Sequence, residues 1–64
     1  MDYLLRLSFE EQKPIKIIYQ SKSGSITKRT IVVKSIDSPY ISAYCFKRKN
    51  YRHFFVHNIL ATAL

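Results

Sequence analysis

Residues 15–36 read IKIIYQSKSGSITKRTIVVKSI, and the period of this stretch decides the fold. Side chains alternate every second residue, which places Ile15, Ile17 and Tyr19 on one side of a strand and Lys16, Ile18 and Gln20 on the other. SKSGS then supplies a turn around Gly24, the only glycine, where a positive φ carries little steric cost. ITKRTIVVKSI is a second, long strand rich in β-branched residues. Its faces set Thr27, Arg29, Ile31 and Val33 against Lys28, Thr30, Val32 and Lys34.

Working outward, DSP breaks that strand with good turn chemistry. YISAYCF is a third strand, KRKN a turn, YRHFFV a fourth strand, and HNILATAL a short 3₁₀ turn followed by a brief final strand. On the N-terminal side the spacing predicts a helix over residues 2–12. Asp2 is its N-cap, and Met1, Leu4, Leu5, Ser8, Phe9 and Gln12 share one face. Pro14 disfavours helical geometry at Lys13 and ends the element. Three large apolar side chains do not hold an isolated helix together, so it must pack on the strands. The expected class is mainly β: four or five short antiparallel strands forming a small barrel over residues 15–64, because closure removes exposed sheet edges.

Sixty-four residues allow a single domain, 1–64, with a small core. Eleven Lys/Arg against four Asp/Glu give a formal charge of +7, which favours an anionic partner. One cysteine, Cys45, forms no intramolecular disulfide and sits between Tyr44 and Phe46 in an apolar strand, as a small core residue does. The N-terminal stretch lacks the pattern of a signal peptide, and no apolar run approaches the ~20 residues of a membrane span. The expected location is a reducing cytoplasm, with no membrane partner and no cofactor.

Catalysis finds little support. The carboxylates at positions 2, 10, 11 and 37 form no evident pair, and His53, His57 and Cys45 are not spaced to converge on a metal. A ribonuclease-like use of both histidines is chemically open but unsupported by their spacing. The expectation is therefore no enzyme.

The stretch Ser38–Phe55 is more informative. It holds six of the nine aromatics and four of the eleven Lys/Arg residues, and no acidic residue follows Asp37. Tyr40, Ser42, Tyr44 and Phe46 share one face of the third strand, while Ile41, Ala43 and Cys45 share the other. Rings flanked by cations are how single-stranded nucleic acid is held. The competing reading is an ordinary hairpin with a solvated basic tip, since tyrosines are common in strands and lysines protect edges.

The order IKIIYQSKSGSITKRTIVV…PYISAYCFKRKNYRHFFVHNI resembles the WYL domain of bacterial transcriptional regulators and proteins associated with phage defence. Tyr19 matches the tyrosine closing the family's first strand, and Arg29 the arginine opening its second. Pro39-Tyr40-Ile41 and Ala43-Tyr44-Cys45 match its name segment and the run that follows, and Arg52-His53-Phe54 its late Arg-x-Phe motif. The resemblance implies an SH3-like or Sm-like barrel and a ligand-sensing role in transcription regulation. Departures are Pro39 for the tryptophan, Val33 for a proline, Phe55 and Asn58 for arginines, and His57 for an aspartate. An amide or a ring does not reproduce a guanidinium's bidentate grip, so ligand contacts there are changed or lost.

The expected function is a regulatory module recognising a nucleotide-like anion, as single-stranded RNA or DNA. Arg29, Arg48 and Arg52 are expected on phosphate, Tyr19, Tyr40 and Tyr44 in stacking or hydroxyl contacts, and Lys47 and Lys49 as supporting charge. On this reading Arg52→Ala weakens binding strongly and Lys22→Ala hardly at all. The alternative is a protein-interaction module or self-associating homo-oligomer without nucleic-acid binding, served by a protein partner that carries an effector domain.

Overall fold

The computed structural model describes residues 3–64. Helix α1 (Tyr3–Glu11) is followed by strands β1 (Ile15–Gln20), β2 (Ile26–Asp37), β3 (Tyr40–Cys45) and β4 (Asn50–Phe55). A 3₁₀ turn (Val56–Asn58) then leads into β5 (Ile59–Ala63). The N-cap expected at Asp2 and the placement of Met1 lie outside the described residues. All strand pairs are antiparallel, in the order β4-β3-β2-β1-β5.

The expected closed barrel is not formed. β4 and β5 stand at opposite ends of the sheet order, and no ladder joins them among the described residues. The fold is mixed α/β: an open five-stranded antiparallel sheet with one helix, neither mainly β nor an SH3-like or Sm-like barrel. The physical reason is visible where the two edges are linked. The Phe55 N–H donates to the Tyr19 hydroxyl at 3.1 Å, and the Val56 N–H donates to the Pro39 carbonyl at 2.8 Å. The Phe55 N–H, the donor that β4 turns away from β3 at this corner, is already satisfied by a side chain, and a satisfied donor has no reason to seek another strand.

The core follows the period of two. Ile15 and Ile17 of β1, Ile31 and Val33 of β2, Ile41, Ala43 and Cys45 of β3, and Phe54 of β4 are buried on one face, with Leu5 of α1 against them. Phe9, expected on the buried helix face, is 39% exposed.

Ser8 is what places the helix. It is fully buried; its Oγ accepts the Val33 N–H at 3.0 Å and donates to the Lys13 carbonyl at 2.6 Å. The helix ends at Glu11, and Gln12 turns left-handed with φ 52°. Its Nε2 donates to the Phe9 and Val33 carbonyls at 2.8 and 3.1 Å. Both backbone groups of Val33 are thus taken by helix-end side chains, immediately before the irregularity in β2–β3 pairing between Val33 and Ser35. Ser8→Ala strands the buried Val33 N–H, so a loss of about 1–3 kcal/mol in urea denaturation is expected. A loss below about 0.5 kcal/mol would show that the hydroxyl is dispensable.

Candidate nucleic-acid interface

Alternation along β3 and β4 builds a ring-bearing surface on the face opposite the core. Tyr40, Ser42 and Tyr44 stand directly across from Phe55, His53 and Tyr51. Ring centroids lie 5.2 Å apart for Tyr40–Phe55, 5.3 Å for Tyr44–Tyr51 and 5.2 Å for Tyr44–Phe46, and His57 continues the row at 4.9 Å from Phe55. These are tilted and edge-on contacts of the kind aromatic pairs prefer. The stripe follows a six-residue hairpin, a length of roughly 20 Å. Tyr51, Tyr40 and Phe46 are 61%, 50% and 44% exposed, leaving ring surface open to a ligand. Tyr44 is half-buried between its neighbours and braces them.

Charge sits at both ends. At one, Lys47, Arg48 and Lys49 form the exposed β3–β4 turn, where Lys49 adopts φ 53°. At the other, Tyr19, Lys22, Tyr40, His53, Phe55 and Asn58 line a cleft of 380 Å³. The cleft lies beside the unclosed corner, because Tyr19 of β1 reaches Phe55 of β4 there. Its lining combines rings, one ammonium and one amide, which suits a flat anionic ligand.

The expected site residues separate on this framework. Tyr40 and Tyr44 lie on the stripe, Tyr19 joins Tyr40 at the cleft, and Arg48, Lys47 and Lys49 lie at the tip. Arg52 stands opposite buried Ala43, on the other side of β4 from Tyr51 and His53. Arg29 also belongs to the core side: its Nε donates to Thr27 Oγ1 at 3.2 Å, and its guanidinium carbon lies 5.9 Å from the Phe54 ring centroid. Lys22, His53, Phe55 and Asn58 were missing from the expected set. The departures at Phe55 and Asn58 were the available signal, since both line the cleft.

Cys45 is fully buried with a second role for Arg29, whose Nη1 lies 3.8 Å from its Sγ. Burial pushes this thiol up, but the Arg48 N–H, the Arg29 guanidinium and the Lys47 N–H together outweigh it. The net position is below the ordinary 9.0. A group ionising more easily folded than unfolded stabilises the fold above its unfolded value, and that stabilisation is lost as pH falls through the folded value. Thiolate absorbance should therefore titrate below pH 9, and the midpoint should rise in Arg29→Ala. An unmoved midpoint would separate the guanidinium from the thiol.

Among the described residues no group of three or more His, Cys, Asp or Glu side chains is placed to hold a metal ion. No described helix is long and apolar enough to cross a membrane. A family model described as the WYL domain matches residues 3–64. The chain belongs to the WYL-domain family. No curated protein and no solved structure matches it. Membership carries the general ligand-sensing role of WYL domains. In this WYL domain Tyr40 stands where stripe and cleft meet.

Proposed function

We propose that this WYL domain senses a nucleotide-like anion presented as single-stranded RNA or DNA, laid along the outer face of β3 and β4. The observation that carries the reading is the aromatic stripe running from the cleft at Lys22 to the basic turn at Lys47–Lys49. Bases stack on Tyr40, Tyr51 and Phe46, while phosphates meet Arg48 and the lysines at both ends. Stacking is sequence-tolerant, so the strand is held by its form rather than its code. Asn58 and His53 supply hydrogen-bonding groups for one base edge or phosphate inside the cleft. This assignment shifts weight from Arg52 and Arg29, on the core side, to Arg48 and Lys22.

Fluorescence anisotropy of labelled oligo(U) and oligo(dT) across a salt series tests it. Two to four phosphate contacts predict a logarithmic slope of about −1.4 to −2.8, at roughly 0.7 per contact. Lys22→Ala should flatten the slope by about one contact, and Arg52→Ala should leave it nearly unchanged. Absence of binding at low salt, despite the +7 charge, would overturn the proposal.

A further inference from the structure

We propose that a bound nucleic-acid strand does not stop at the β3–β4 turn but crosses the sheet onto β2 and β1. There Lys16 and Lys28 take two further phosphates, and the groove between them takes one base. This inference rests on the nucleic-acid reading above and extends its footprint. The crossing point is set by Phe46, the last ring of the stripe. Its N–H donates to the Thr30 carbonyl at 3.1 Å, and its ring packs on Tyr44, which keeps it on the outer face beside β2. Thr30 stands opposite Lys16 on β1, and Lys28, two residues earlier on β2, stands opposite Ile18. Side chains alternate along a strand, so Thr30, Lys28, Lys16 and Ile18 share that outer face. At about 4.8 Å per strand spacing, Lys16 lies roughly 10 Å across the sheet from Phe46.

The charge at this corner specifies the occupant. Lys16, Lys28 and the turn residues Lys47, Arg48 and Lys49 are all exposed. None of them has a carboxylate partner: the one ion pair among the described residues joins Arg6 to Glu10 on the helix. Asp37, the only carboxylate on the strands, closes β2 at its far end, opposite Tyr40. Cations gathered with no anion among them concentrate positive potential, and a chain of regularly spaced phosphates is the partner that meets several at once. Between the two lysines the surface is apolar. Ala61 stands across from Ile18 and Ala63 across from Lys16. With Lys16 and Lys28 these residues line a groove of 230 Å³. Both alanines are short, which leaves an aliphatic floor for one flat base while its flanking phosphates reach the ammonium groups. An apolar lining with a few charged groups at its rim is the usual make-up of such a site.

The probes are fluorescein-labelled oligo(dT) of about 5 and about 12 nucleotides, lengths within the range of single-strand site sizes. The rings hold the shorter probe, and only the longer one reaches β1. Lys16→Ala combined with Lys28→Ala should reduce the salt slope on the longer probe by about 1.4, two contacts at roughly 0.7 each, and leave the shorter probe unchanged. Both side chains are exposed, so the fold survives their truncation. A charge-matched control is Lys13→Ala with Lys34→Ala, at the helix end where Lys34 Nζ donates to Gln12 Oε1 at 2.8 Å; it should move neither slope. Methyl resonances of Ile18, Ala61 and Ala63 should shift with the longer probe and stay still with the shorter. An unchanged slope in the Lys16/Lys28 variant, or still groove methyls while the longer probe is bound, would overturn this inference and leave the stripe standing. An equal loss in the control would overturn it as unspecific attraction. Failure of both probes to bind wild-type protein at low salt would remove the underlying reading and this inference together.

Discussion

Replacing Phe54 with alanine is expected to remove most of the stability of this domain. Phe54 is 3% exposed and belongs to the core cluster. Its ring takes the edge of Tyr19 at 5.0 Å and lies beneath the Arg29 guanidinium. Truncating a buried phenylalanine costs about 3–5 kcal/mol, from lost transfer energy and the cavity left behind. A domain of this length has roughly 3–10 kcal/mol in total, at 0.05–0.15 kcal/mol per residue. The variant should be substantially unfolded at 37 °C, with loss of near-ultraviolet signal and a urea midpoint near zero. The same substitution also undercuts Tyr19, whose hydroxyl holds the Phe55 N–H across the open corner. A midpoint lowered by less than 1 kcal/mol equivalent would show that the core does not depend on this ring.

The double variant Tyr40→Ala with Tyr51→Ala should do the reverse: fold normally and lose the ligand. Both side chains are at least half exposed on the face away from the core, where substitutions usually change stability by no more than ~0.5 kcal/mol. Each base–ring stack is worth about 1–3 kcal/mol, so losing two weakens binding by about 30-fold or more. Tyr51 and Phe54 are three residues apart on β4 and point to opposite faces. One strand therefore supplies both controls, a residue whose loss unfolds the chain and a residue whose loss only disarms it. Unchanged affinity in the double variant would remove the stripe from the binding account and leave charge alone.

The faces of the strands were readable because a strand's side-chain period is two. Ile41, Ala43 and Cys45 were separated from Tyr40, Ser42 and Tyr44 on alternation alone, and the ladder with β4 keeps that separation. Ser8 was placed on the packing face of the helix, but its pairing with Val33 was not readable. A hydroxyl becomes a structural partner only when a backbone donor 25 residues away arrives within 3.0 Å. The cleft was hidden for a related reason. Lys22, Asn58 and Tyr19 belong to three segments, and only the corner between β1 and β4 brings them to one place.

Local pattern settled the element order, the alternation of strand faces, the basic charge and the family. Each depends on composition, on alternation of neighbouring residues or on the order of short motifs, and a chain carries these whether folded or not. Tertiary structure alone decided whether the sheet closes and which residues share the cleft. Those outcomes turn on how far the strands bend and on which backbone donors are already satisfied where distant segments meet. Arg29 shows the difference most plainly. Its charge invites a phosphate, but the fold sets its guanidinium beside Thr27, Cys45 and Phe54.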